Sequence, residues 1–66
     1  MKIILNGREK EFFDPINLES IIHQFCRNNR QVIAEVNGAV IKKNKWPEKI
    51  LSEGDTVELV NFVGGG

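Results

Sequence analysis

Glu53-Gly54-Asp55-Thr56-Val57-Glu58-Leu59-Val60-Asn61-Phe62-Val63-Gly64-Gly65-Gly66 closes the chain, and its reading decides the fold. Glu53-Gly54-Asp55 is a turn signal, and the apolar run from Val57 to Val63 then reads as a final strand. Alternation within it puts Val57 and Leu59 on a core face and Glu58, Val60 and Phe62 on the other. Three glycines follow that carry no side chain and cannot pack, so residues 64–66 are expected to form a thin tail on a domain spanning residues 1–63. Extended at about 3.3 to 3.6 Å per residue, the tail reaches on the order of 10 Å, enough to carry the Gly66 carboxylate into a narrow channel of a partner. The bland alternative is a frayed end.

Working outward, the first segment also has strand character. Met1 to Leu5 meets Asn6-Gly7, a dipeptide suited to the positive φ angles of a two-residue hairpin turn, and the chain returns through Arg8 to Phe13. That pairing sets Leu5 opposite Arg8, Ile3 opposite Lys10, and Lys2 opposite Glu11 as a cross-strand charge pair. Met1, Ile3, Leu5 and Phe12 then share the buried side. Asp14-Pro15 breaks the strand, and Asn17 caps a helix. Leu18, Ile21, Ile22, Phe25 and Cys26 have the spacing of one helical face, and Ile16 with Ile21 has that of a hydrophobic staple. The helix is expected to end near Arg27-Asn28-Asn29.

A second hairpin follows, from Val32 to Val36 through Asn37-Gly38 to Ala39-Val40-Ile41. Lys42-Lys43-Asn44-Lys45 is polar, and Trp46-Pro47 with Glu48 to Leu51 reads as a connector containing one helical turn. The order is hairpin, helix, hairpin, connector, strand. This is an α+β class in which one main helix covers one face of a small mixed β-sheet and leaves the other open unless a partner covers it. A last strand lying parallel beside the first gives a β-grasp; an SH3-like barrel is the alternative.

Composition narrows the function. Sixty-six residues form one small domain that buries only about 60% of its unfolded surface, which leaves little room for an internal catalytic cleft. Nine basic and nine acidic residues balance, so no global field attracts nucleic acid or an anionic membrane. One cysteine and one histidine exclude a disulfide framework and give no protein-only zinc site. No apolar stretch approaches the ~20 residues of a membrane span, and the first turn interrupts any signal-peptide core, so a soluble cytoplasmic protein is expected.

The remaining chemistry-bearing residues have ordinary readings. Cys26 sits on the apolar helix face as a buried structural thiol. His23 is a solvent-facing or helix-flank residue without a companion nucleophile. Lys42, Lys43, Lys45 and Lys49 make a basic cluster with Trp46 as its one aromatic neighbour, which fits a solvated loop better than an RNA surface, with Trp46 as an apolar plug.

Asn6-Gly7, Val36-Asn37-Gly38, Lys45-Trp46, Glu53-Gly54-Asp55-Thr56-Val57-Glu58-Leu59 and Phe62-Val63-Gly64-Gly65-Gly66, in a chain of this length, closely resemble the ThiS family of thiamin-biosynthesis sulfur carriers. The resemblance spans the whole chain and implies a ubiquitin-like β-grasp. It further implies that the protein is a cosubstrate and no enzyme, binding no cofactor itself. A ThiF-type adenylyltransferase, using ATP and magnesium, would activate Gly66. A cysteine desulfurase or related donor would supply sulfur, and a ThiG-type thiazole synthase would accept it. Gly65 and Gly66 match the family's terminal pair, with Gly66 as the sulfur-bearing residue, Gly64 and Gly65 as the tail threading the activating channel, and Glu58, Val60 and Phe62 as partner-docking residues. Gly64 stands where most members have another small residue. Related readings are the small subunit of molybdopterin synthase, whose approach to the glycine pair often contains the proline absent from Phe62-Val63-Gly64, and a ubiquitin-like modifier. A β-grasp binding module with an inert tail is the alternative from a different class.

Overall fold

The computed structural model describes residues 1–26 and 32–61. The expected end of the first helix at 27–29, the last two residues of the expected final strand, 62–63, and the expected tail at 64–66 lie outside the described residues. Five strands form one mixed sheet: β1 (Lys2–Leu5), β2 (Arg8–Glu11), β3 (Val32–Val36), β4 (Ala39–Ile41) and β5 (Thr56–Asn61), in the order β2-β1-β5-β3-β4. β5 enters last and takes the centre. It runs parallel to β1, with Leu5 beside Val57, and antiparallel to β3, with Val36 beside Val57. This is the β-grasp pairing, and it leaves no place for the barrel alternative.

Both hairpins form at the asparagine-glycine turns. Asn6 and Gly7 have φ of 49° and 82°, and Asn37 and Gly38 have 52° and 86°. Positive φ at both central positions matches the right-handed twist of the flanking strands. The β1–β2 register is the expected one, with Lys2 opposite Glu11, Ile3 opposite Lys10 and Leu5 opposite Arg8. The charge pairing across it differs: Lys2 Nζ reaches diagonally to Glu9 at 3.7 Å, while Glu11 receives the amino terminus at 3.3 Å. A long lysine side chain reaches diagonal partners easily, and the amino terminus lies closer to Glu11.

The helix α1 (Leu18–Phe25) starts where Asn17 caps it, the Ser20 amide donating to Asn17 Oδ1 at 2.8 Å. Asn17 also donates from Nδ2 to the Pro47 carbonyl at 3.1 Å, tying the helix start to the connector. Leu18, Ile21 and Ile22 are buried, and Ile16 packs on the same core. The helical face is narrower than the sequence pattern suggests. Phe25 is exposed and sets its ring edge-on to Phe12, centroids 6.1 Å apart, with Lys10 Nζ 5.7 Å over the ring. Cys26 terminates the helix and is half-buried against the core rather than enclosed. Even partial burial disfavours the thiolate, which pushes its pKa above the ordinary thiol value.

The connector forms a 3-10 helix over Lys43–Glu48, earlier than the segment in which the sequence places a turn. Trp46 explains the shift. It is buried, and its indole N–H donates to the Ile41 carbonyl at 2.9 Å, so the chain must coil directly after β4 to deliver the ring. The core is then Ile3, Leu5, Leu18, Ile21, Ile22, Ala34, Val36, Trp46, Leu51 and Val57, all on the helix side of the sheet.

Candidate functional site

β5 is the strand that precedes the three terminal glycines in sequence, and its surroundings fix its last described residues. Among the backbone bonds that hold it beside β1 are Ile4 N–H to the Asp55 carbonyl and Asn6 N–H to the Val57 carbonyl, both 2.9 Å. β1 then turns away. The Asn6 side chain continues the ladder, Oδ1 accepting from the Leu59 amide at 2.8 Å. At the opposite end of the strand Asn37 acts similarly: Oδ1 accepts from the Thr56 amide at 2.9 Å while Nδ2 donates to Asp55 Oδ1 at 3.0 Å. Each turn asparagine therefore supports its hairpin and clamps one end of β5. On the other side β5 pairs with β3 as far as Asn61 opposite Val32.

Along β5 the alternation is as expected. Val57 is fully buried and Leu59 packs on the core, whereas Glu58 and Val60 are exposed on the uncovered face. Phe62, Gly64, Gly65 and Gly66 lie outside the described residues. The β3–β5 register adds neighbours that sequence reading missed. Ile33 stands directly opposite Val60, and Glu35 directly opposite Glu58. Val40 of β4 stands opposite Glu35 and completes the row. Ile33, Val40 and Val60 are 37%, 63% and 51% exposed and flank the Glu35–Glu58 pair on the uncovered face. Only the register reveals the grouping, because Val60 lies 27 and 20 positions from Ile33 and Val40 in sequence.

The other candidates take their ordinary roles. His23 is exposed in the last turn of α1. Lys42, Lys43 and Lys45 are exposed, with Lys45 Nζ 3.9 Å from Glu48. Burial of Trp46 removes the ring that could have stacked on a base. No group of three or more metal-ligating side chains occurs among the described residues. A groove is lined by Phe12, Phe13, Pro15, Ile16 and Ile50; its polar lining is Glu11, Asn17, Ser20 and Gln24, which holds no paired nucleophile and base. Among the described residues no helix is long and apolar enough to cross a membrane.

A mixed sheet with a central last strand, one helix across one face and a bare opposite face defines a ubiquitin-like β-grasp domain. Within that class the chain belongs to the ThiS family, whose sequence model matches residues 3–66 and so includes the terminal glycines. The sulfur carrier protein ThiS of Bacillus subtilis is 33% identical over 63 residues, covering 94% of this chain and 96% of that one. A crystal structure of the thiamine biosynthesis protein ThiS from Geobacter metallireducens superposes over the full length of both chains with a TM-score of 0.85 at 25% identity. A thiazole synthase of Paramagnetospirillum magneticum is 30% identical over 66 residues, all of this chain but only 20% of its own length. The chain thus spans about a fifth of that relative.

Proposed function

We propose that this chain is a sulfur carrier for formation of the thiamin thiazole, with the Gly66 carboxylate as the cargo site. The observation that carries the reading is the near full-length correspondence with the Bacillus subtilis sulfur carrier, in a family match that runs to Gly66. The chemistry requires activation first. An α-carboxyl group with a pKa of about 3.5 is an anion at neutral pH and a poor electrophile. A ThiF-type adenylyltransferase using ATP and magnesium joins the carboxylate oxygen to AMP and releases pyrophosphate. The outer sulfur of a cysteine persulfide on a desulfurase or a related donor displaces AMP, which departs with that oxygen; a second thiol then cleaves the resulting acyl disulfide, forming a disulfide with the donor cysteine and leaving Gly66 as a thiocarboxylate. A ThiG-type thiazole synthase then takes the sulfur, and the carrier returns for another cycle in the cytoplasm. The chain itself is a cosubstrate, and the catalytic groups belong to its partners.

Each part of the molecule has a task in that cycle. The folded body, residues 1–63, is the handle; Gly64 and Gly65 pass through the activating channel, where a side chain would collide with its walls. The uncovered sheet face beside the tail, with Glu58, Val60 and Phe62, is the docking surface that aligns the handle. Deleting Gly65-Gly66 tests the reading. The expected result is complete loss of sulfur loading with an unchanged thermal midpoint, because glycine has no side chain to pack; retained function in thiazole formation would assign the domain to an inert-tail binding module.

A further inference from the structure

The chain is neutral overall, yet its uncovered face is not. Among the described residues the register places Lys2, Ile4, Glu9, Glu11, Ile33, Glu35, Val40, Thr56, Glu58 and Val60 on that side of the sheet, four carboxylates against one lysine. Glu9 is answered by Lys2 and Glu11 by the amino terminus. Glu35 and Glu58 have no ion-pair partner among the described residues. They stand directly opposite each other on adjacent antiparallel strands, where side chains begin about 4.5 to 5.5 Å apart and like charges destabilise the pairing. Ile33 and Val60 flank this pair toward the tail end of β5, and Val40 flanks it toward the sheet edge.

We propose that this face receives thiazole synthase, and that Glu35 and Glu58 together accept one arginine from it while Ile33, Val40 and Val60 meet apolar side chains around that arginine. The assignment rests on the carrier reading above and adds the chemistry of the partner's surface. A guanidinium suits the site better than an ammonium. Its planar fork carries five donors, enough to bond two carboxylates at once, and it is weakly hydrated enough to sit among aliphatic side chains. Seating it converts a repulsive cross-strand pair into two charge-assisted contacts, so the gain on docking exceeds that of an isolated surface ion pair. Position supports the choice of occupant. The surface adjoins the end of β5 at Asn61, five residues before Gly66 in sequence, so a partner covering it lies within reach of that residue, and thiazole synthase is the enzyme in whose chain the relative of this domain is found.

The test compares the wild-type chain with Glu35→Gln/Glu58→Gln, using purified thiazole synthase and a ThiF-type adenylyltransferase. Binding to thiazole synthase is measured by titration at several salt concentrations, alongside sulfur loading and thermal melting. The expected result is a Kd for thiazole synthase raised about tenfold, a flatter salt dependence and a thermal midpoint equal to or above that of wild type, since removal of the like charges relieves β3 and β5. Unchanged affinity and salt dependence would overturn the proposal while leaving the carrier reading intact, provided the wild type loads sulfur. A defect confined to loading would also overturn it and assign the pair to the adenylyltransferase. A wild-type chain that neither loads sulfur nor binds thiazole synthase would overturn both.

Discussion

The two faces of the sheet share strands but obey different rules. On the helix side Ile3, Leu5, Ala34, Val36 and Val57 are all buried, and α1 with Trp46 closes over them. On the other side, alternate residues of the same strands put Ile33, Val40 and Val60 in solvent beside two facing glutamates. The first arrangement maximises apolar burial and satisfies the polar atoms it encloses; no buried side-chain nitrogen or oxygen among the described residues lacks a partner. The second forgoes stability, since facing carboxylates repel and exposed aliphatic groups order water. In a domain this small one face supplies the core, and the other is free to be shaped by what docks on it.

Substitutions sharpen that contrast, the largest effect falling on the covered side. Trp46→Ala should cost about 3 to 5 kcal/mol, through the cavity and the unpaired Ile41 carbonyl it leaves. At 0.05 to 0.15 kcal/mol per residue the whole chain holds only about 3 to 10 kcal/mol, so this variant should lose about a third or more of its stability, read as a large drop in the thermal midpoint by circular dichroism. Val60→Ala on the open face should change the urea midpoint by no more than about 0.5 kcal/mol of stability, while weakening partner binding. A large loss of stability from Val60→Ala would break the division into a structural and a docking face.

A smaller effect isolates the clamp on β5. Asn6→Gly keeps the positive φ that the first turn requires but removes the acceptor of the Leu59 amide. The expected cost is about 1 kcal/mol, with faster hydrogen exchange at Leu59 and little change at Val57, which is held from both sides. Exchange at Leu59 equal to wild type would mean that the asparagine serves its turn alone.

These same residues mark the limit of what the sequence discloses. The hairpins, the Asn17 cap, the apolar face of α1 and the core positions of β5 all follow from local patterns, because each depends on residues within a few positions of one another. The parallel placement of β5 beside β1 did not follow from local patterns, which left a barrel open; the family resemblance implied it, and the strand order bears it out. The second role of Asn6 was not legible, since its bond to Leu59 crosses 53 residues and nothing near Asn6-Gly7 distinguishes a clamping asparagine from one that only turns. Glu35 facing Glu58 is similarly hidden. Each glutamate alone is a polar residue on an exposed strand face, and only the register makes them a pair. Phe25 shows the opposite failure: its helical spacing marks it for the core, but a helix of eight residues is too narrow to enclose its last turn, and the ring packs at the rim against Phe12.

The most direct test is the intact mass of the chain after incubation with ATP, magnesium, a ThiF-type adenylyltransferase and a sulfur donor. The account predicts a gain equal to one oxygen replaced by one sulfur, localised by fragmentation to Gly66. An unchanged mass, with the adenylyltransferase shown to be active on another carrier, would contradict it.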